Sequence, residues 1–370
     1  MNILFFIHCL IGGGAERVTV NLSDELVRRG HSVSIALTEN IIDYNLDSRI
    51  KLYVYRQERV YRGNIMFIRK MYLLLNRVTE YLDTRRIIKE SKPDVIVASW
   101  GSKTEPILHF HGKIPVIASE HNTFDREHEP WERKKRFYTN KKFNKVIVLT
   151  EYDKEFTKSY LNNTQVIPNP LTFTPIPIDE YNSLLPLRKN ILACGRINAY
   201  HVKGFDNLII AFSKVAGLYP EWDLDIAGAG DNINIEILRK IAKENGIEDR
   251  VHFLGFCQRI NEVMKKHSFF VLSSRSEGFG MVLTEAMAMG CPCVSYALTG
   301  PGEIIKDGVD GILVENQNID KLAEAMSVMM RDKDLRKRLS RNALETVTRF
   351  SVEKITDQWE SLFKQVISNG

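Results

Sequence analysis

Cysteine is scarce. Five of 370 residues, Cys9, Cys194, Cys257, Cys291 and Cys293, cannot supply the disulfide framework of a secreted scaffold, and their usage fits a reducing cytoplasm. Cys291-Pro292-Cys293 is too closely spaced for a zinc site and has no second pair, so it reads as buried packing. No apolar run reaches membrane-spanning length without charges. Met1 to Ile11 is apolar but lacks a basic leader and runs into Gly12, which suits a first β-strand better than a signal peptide. Low-complexity tracts and repeats of solenoid length are missing as well. Charge of one sign is not in large excess. The net charge is +5, with 27 Lys and Arg against 20 Asp and Glu in residues 1–170 (+7), and 24 against 26 beyond (−2). With no recognised nucleic-acid motif, that modest basic half excludes a nucleic-acid partner. Its excess lies mainly in Lys51 to Lys92 and Arg126 to Lys145.

What is present is alternation. At this length two domains are the natural expectation. Strands are predicted at Ile3–Ile7, Val33–Leu37, Lys51–Tyr55, Asp94–Ser99, Pro115–Ser119 and Lys145–Thr150. Between them lie a helix at Ala15–Arg29 and a long helical pattern over Asn64–Glu90. Pro168, Pro170, Pro175 and Pro177 then break the pattern as a linker. It restarts with strands at Ile191–Cys194, Leu224–Ala227, Val251–Leu254, Phe269–Ser273, Cys293–Tyr296 and Gly311–Val314. Helices are predicted at Phe205–Leu218, Ile233–Asn245 and Met281–Met289, and three more close the chain. Strands alternating with helices imply parallel sheets covered on both faces, whose ligands bind at the carboxyl ends of strands.

The most informative stretch is Ser276-Glu277-Gly278-Phe279-Gly280-Met281-Val282-Leu283-Thr284-Glu285-Ala286-Met287-Ala288-Met289-Gly290. It reads as a glycine turn between a strand and a helix, whose first backbone N–H groups are left to bind an anion such as phosphate. Glu277 at the mouth of the turn can accept from sugar hydroxyls, and Glu285, a turn inside the helix, from a ribose. Two glutamates separated by seven residues, with Gly-Phe-Gly between them and Cys291-Pro292 following, resemble the motif of retaining glycosyltransferases of family 4 (glycosyl transferases group 1).

The resemblance implies the GT-B fold: two doubly wound, Rossmann-like parallel-sheet domains facing an interdomain cleft. Residues 1–170 would form the acceptor-side domain and 171–188 the linker. Residues 189–350 would bind the nucleotide-sugar, and 351–370 would be a helix crossing back to the first domain. It also assigns roles. Arg196, after Gly195, and Lys203, before Gly204, would neutralise a donor diphosphate without metal. Gly278, Phe279, Gly280, Met281, Val282 and Leu283 would form the donor turn, and Gly255 and Phe256 would receive the base. Gly13 and Gly14, in the run Gly12-Gly13-Gly14-Ala15-Glu16-Arg17, would lie near the diphosphate. His121, in Ser119-Glu120-His121-Asn122-Thr123, would contact the transferred sugar without serving as general base, since the leaving phosphate helps deprotonate the acceptor in such enzymes. The turns of Thr299 to Ile305 also match.

Other features are weaker. The glycine run lacks the spaced G-x-G-x-x-G pattern of nicotinamide binding. Asp223-Leu224-Asp225 formally matches an Asp-x-Asp metal motif, but it lies in the apolar run Trp222–Ala227 and reads as strand-end carboxylates. His8, His109 and His111 show no metal-ligand pattern. Met66, Phe67, Lys70, Met71, Leu74, Leu75 and Val78, with Arg69, Arg77, Arg85 and Arg86, form an amphipathic basic pattern. It reads either as an ordinary helix with its apolar stripe toward the core or as a surface helix for an anionic membrane.

The expectation is therefore a metal-independent, cofactor-free retaining transferase. It would move a sugar from a nucleotide donor, a UDP-sugar by resemblance, to a glycan or polyprenyl-linked acceptor in surface-polysaccharide synthesis. It would work in the cytoplasm or on the inner face of the cytoplasmic membrane. The rivals are another GT-B nucleotide-sugar enzyme of epimerase type and a GT-B binding protein without turnover.

Overall fold

The structure, a computed structural model, describes residues 1–59, 65–99, 104–124, 130–184 and 190–369. Asn64 of the long helical pattern, Arg126, Glu127 and Glu129 of the second basic segment, and positions 185–189 at the linker's end lie outside the described residues. The chain divides into two compact units, Met1–Thr172 with Val352–Gly370, and Phe173–Ser351.

In the first unit the strands are β1 (Asn2–Ile7), β2 (Ser32–Leu37), β3 (Lys51–Val54), β4 (Val95–Ser99), β5 (Val116–Ser119), β6 (Lys145–Val148) and β7 (Thr164–Val166). The helices are α1 (Gly14–Arg28), α2 (Met66–Ser91), α3 (Thr104–Phe110), α4 (Pro130–Asn140) and α5 (Glu151–Thr157). The second unit begins with α6 (Ile178–Leu184). Its strands are β8 (Ile191–Cys194), β9 (Leu224–Ala227), β10 (Val251–Gly255), β11 (Phe269–Leu272), β12 (Cys293–Tyr296) and β13 (Gly311–Val314). Its remaining helices are α7 (Tyr200–Lys203), α8 (Phe205–Ala216), α9 (Asn232–Glu244), α10 (Ile260–Lys265), α11 (Met281–Ala288), α12 (Thr299–Ile304), α13 (Ile319–Arg331) and α14 (Lys333–Thr346). The last helix, α15 (Val352–Ser368), belongs to the first unit.

Both sheets are parallel, in the orders β3-β2-β1-β4-β5-β6-β7 and β10-β9-β8-β11-β12-β13. Each order reverses beside the unit's first strand, the doubly wound pattern whose switch point opens a crevice at the strand ends. The period-two geometry of β1 shows why the sheet is covered twice. Ile3, Phe5 and Ile7 enter one core with Leu22 and Leu26 of α1 and with Ile355, Trp359 and Phe363 of α15. Leu4 and Phe6 enter the other, with Ile87 and Ile88 of α2, Ile107 of α3 and Phe137 of α4. The docking of α15 is also fixed by charge: Arg29 reaches Asp357 at 2.6 Å and Glu360 at 3.0 Å, and His31 reaches Glu360 at 2.6 Å.

Two details differ from the reading of the sequence. The proline-bearing stretch carries α6, whose Tyr181 is fully buried against Gly290 of its own unit, and Ile176 N–H donates to the Ala288 carbonyl at 2.9 Å. In addition, the N-terminal half of α2 does not turn its apolar stripe to the core: Phe67, Met71, Leu74, Val78 and Leu82 are exposed. The ordinary amphipathic reading fails there because the side toward the protein is partly polar: Tyr72, Asn76 and Thr79 are half-buried there beside Ile68. Asn76 is held by two 2.9 Å hydrogen bonds with the backbone of Arg59. Among the described residues no helix is long and apolar enough to cross a membrane.

Candidate active site

The second unit carries most of the expected residues in the segments that follow β8, β10 and β11. Lys203 ends α7, and Gly204 after it takes φ +66°. A Cβ on Gly204 would stand 1.9 Å from the Ser273 carbonyl oxygen, so only glycine lets this turn press against the end of β11. Ser273 Oγ donates to the Lys203 carbonyl at 3.0 Å, closing the contact. The stem of Lys203 lies over Gly195, where a Cβ would approach its Cγ to 3.1 Å.

So positioned, Lys203 Nζ donates to Glu277 Oε1 at 2.5 Å, and Ser274 Oγ donates to the same oxygen at 3.0 Å. Both charged side chains are largely buried, at 24% and 14% exposed. A paired charge in that setting is held in one geometry far better than on an open surface. Arg196, at the end of β8, is exposed, and among the described residues its guanidinium has no ion-pair partner.

Glu277 leads into α11. Gly280 caps it at φ +93°, and no side chain caps it. The Leu283 N–H closes the turn onto the Gly280 carbonyl at 2.8 Å, which leaves the Met281 and Val282 amides ahead of it as those an anion can use. The side chains of the turn divide. Phe279 and Leu283 point into the core, Phe279 meeting Phe350 edge-on at 5.4 Å, so neither side chain faces a ligand. Gly278, Met281 and Val282 are partly exposed. Behind the turn, Gly300 of α12 packs so closely that a Cβ there would come within 2.5 Å of the Phe279 carbonyl oxygen. Glu285 is buried on α11, and its charge joins burial in raising the Cys194 thiol well above its ordinary value. Gly255 ends β10 at φ +67°, its carbonyl accepting from Gly228 N–H at 2.8 Å, and Phe256 after it is exposed.

Reading the sequence missed Arg275. Its guanidinium forks onto Asp206 of α8, at 2.7 and 2.9 Å, reaches Asn207 at 2.8 Å and donates to the His201 carbonyl. It thereby ties the loop carrying Glu277 to the turn carrying Lys203. The only signal was its place in the run before Glu277.

Asp223 and Asp225 are engaged elsewhere. Asp223 accepts from Arg250 at 2.7 Å. Asp225 is buried against His267 at 2.8 Å and Asn190 at 3.2 Å; burial opposes its charge, but these hydrogen bonds prevail and hold the carboxyl below its usual range. Among the described residues no three His, Cys, Asp or Glu side chains cluster for a metal.

The remaining expected residues belong to the first unit. Gly13 caps α1, and Gly14 begins it. The carboxylate of Glu16 folds back over Gly13, within 1.9 Å of where a Cβ would be, so this helix start already carries a negative charge. His121 follows β5. Its Nε2 lies 3.2 Å from Ser119 Oγ, while its buried Nδ1 has no partner among the described residues. Burial pushes the imidazole down to about 4, so it is neutral at physiological pH. Beside it, Glu120 is fixed by Arg136 at 2.9 Å and Asn140 at 2.7 Å.

The chain matches Glycosyltransferase Family 4 over residues 12–172 and Glycosyl transferases group 1 over residues 184–346. It is 27% identical over 362 residues to an uncharacterized glycosyltransferase of Haemophilus influenzae, covering 95% of this chain and 96% of that one. It is 28% identical over 383 residues, 99% of each chain, to a Campylobacter jejuni enzyme. That enzyme is named GalNAc-alpha-(1->4)-GalNAc-alpha-(1->3)-diNAcBac-PP-undecaprenol alpha-1,4-N-acetyl-D-galactosaminyltransferase. The fold of this chain is similar to that of Anabaena HepE, solved with UDP and glucose, at a TM-score of 0.76 and 19% identity over 98% of this chain and 99% of that one. The two parallel-sheet units are those of the GT-B architecture, and the chain belongs to the family 4, group 1 glycosyltransferases.

Proposed function

We propose that the chain is a retaining, metal-independent transferase that moves a sugar from a UDP-sugar to a glycan or polyprenyl-linked saccharide. The observation that carries this reading is the Lys203–Glu277 pair at 2.5 Å, set beside the glycine-capped start of α11 and the exposed Arg196. A diphosphate on the α11 amides would meet both cations, which balance the charge that grows on the leaving phosphate as the glycosidic bond to it breaks. Glu277 would turn its carboxylate to a sugar hydroxyl while Lys203 holds it. The acceptor hydroxyl attacks the carbon that loses the phosphate, on the same face, and its proton passes to the departing phosphate oxygen. UDP is then released with its electron pair. His121, neutral at working pH, is a hydrogen-bond partner for a hydroxyl, not a general base. The UDP in the HepE structure and the undecaprenol-linked acceptor in the Campylobacter enzyme's name support the donor and acceptor classes.

Calorimetric titration with UDP, GDP and ADP, in the presence of chelator, tests it. Selective UDP binding that is lost in Arg196→Ala is expected; equal binding of all three, or none of UDP, would overturn the donor assignment.

A further inference from the structure

The exposed stripe on α2 runs Phe67, Met71, Leu74, Val78, Leu82, at spacings of four, three, four and four that put all five on one line of the helix. These side chains are between 44% and 76% exposed, and Met66, Leu73 and Leu75 widen the patch. Patches of this kind on a water-soluble surface mark a contact. The helix is also not free to roll its stripe inward, because Asn76 is held by both of its bonds to Arg59, and Asp83, Thr84, Ile87 and Ile88 are buried further along.

Charge decides what covers the stripe. Arg69 and Lys70 stand exposed at one end and Arg85 at the other, with no ion-pair partners among the described residues, while Arg77 between them pairs with Glu105 at 2.8 Å. The carboxylates of this part of the helix, Glu80 and Asp83, are half-buried and buried. Two copies laid stripe to stripe, parallel or antiparallel, would bring cations against cations. An anionic lipid surface meets both requirements, apolar depth below the stripe and negative charge at its ends. We infer that α2 lies in the plane of an anionic membrane, with Phe67, Leu74 and Val78 inserted among the acyl chains and Arg69, Lys70 and Arg85 at the headgroups. The helix lies on the bilayer and does not cross it. The inference goes beyond the transfer reaction, and because it is read without turnover it fails or stands separately from it.

The test is co-sedimentation of the full chain with vesicles of phosphatidylcholine, alone or with about one-third phosphatidylglycerol. Binding to the anionic vesicles only is expected, weakening as salt rises. Leu74→Glu is expected to lower the bound fraction roughly tenfold with unchanged circular dichroism, since the residue has no core contact to lose. Arg69→Gln with Lys70→Gln is expected to weaken binding and flatten its salt dependence. Failure to bind anionic vesicles would overturn the inference, as would equal binding by Leu74→Glu. So would a dimer in sedimentation equilibrium that Leu74→Glu dissociates, which would assign the stripe to a second copy.

Discussion

The turn between α7 and α8 offers the sharpest test of how the site is held. Gly204→Ala places a methyl group 1.9 Å from the backbone oxygen of Ser273, at a φ of +66° that alanine adopts only under strain. Both sides of the clash are backbone, so no side chain can swing aside. The strain is about 1–3 kcal/mol, and relief by withdrawing the turn from β11 gives up the Ser273–Lys203 hydrogen bond, about 1 kcal/mol more. A loss of about 2–4 kcal/mol from a unit of this size corresponds to roughly 5–15 °C in melting temperature. Withdrawal also carries Lys203 away from Glu277, and misplacement by about 1 Å can cost on the order of a hundredfold in rate. Gly217→Ala is the control: that glycine is αR, with nothing within 4 Å of a Cβ, and substitution there should be neutral or stabilising by up to about 1 kcal/mol. The assays are differential scanning calorimetry and release of UDP from a UDP-sugar. If Gly204→Ala melts with the parent and releases UDP as fast, the glycine does not set the geometry of Lys203.

Four further outcomes are expected. Glu277→Gln should lower transfer by at least roughly a hundredfold with the melting temperature retained, and near-normal turnover would remove Glu277 from the reaction. Arg275→Lys exchanges a fork for a point charge; unit stability should fall by about 2 kcal/mol together with activity, and an unchanged denaturation midpoint would show that the clamp is idle. Chelator should leave transfer unchanged, whereas a strict divalent-ion requirement would reopen the metal question. His121 carries a pH signature. Its imidazole titrates near 4 when folded and near 6.5 when free, so between those values the unfolded chain takes up a proton that the folded chain refuses. Stability of the first unit should therefore fall as pH drops from about 6.5 toward 4. His121→Asn should flatten that slope, and an identical pH profile would refute the burial argument.

The sheets were legible because apolar runs of four to six residues, bounded by glycine or polar turns, have few alternatives, and β8 and β9 begin and end where the sequence places them. Short elements were not. β7 has three residues of middling burial, α10 only six residues, and α6 hides within the proline stretch because its two-turn pattern is too brief to show a period. At the candidate site, the spacing of two glutamates singled out Glu277, and the family resemblance it carries pointed to Lys203 and Arg196. Neither could reveal that Phe279 turns inward onto Phe350 or that Arg275 binds two segments, since both depend on partners distant in sequence, nor that Glu16 folds over Gly13, which is a choice of rotamer. The stripe of α2 was visible, but its direction was not: periodicity gives the angle between residues, whereas the Asn76–Arg59 bonds and the buried Asp83, Thr84, Ile87 and Ile88 give the angle to the protein.

Because α15 packs into the core built on β1, the first unit is assembled from both ends of the chain. During vectorial synthesis at roughly 5–20 residues per second, the ribosome takes about 10–35 s to pass from residue 172 to residue 352. Through that interval the nascent first unit has its sheet but not Trp359 or Phe363, and a greasy face waits for its lid. The second unit is encoded without interruption and can close on itself meanwhile. The unit made first is thus finished last. A chain halted before Val352 would be a natural client for chaperones, whereas an excised 173–351 segment would not.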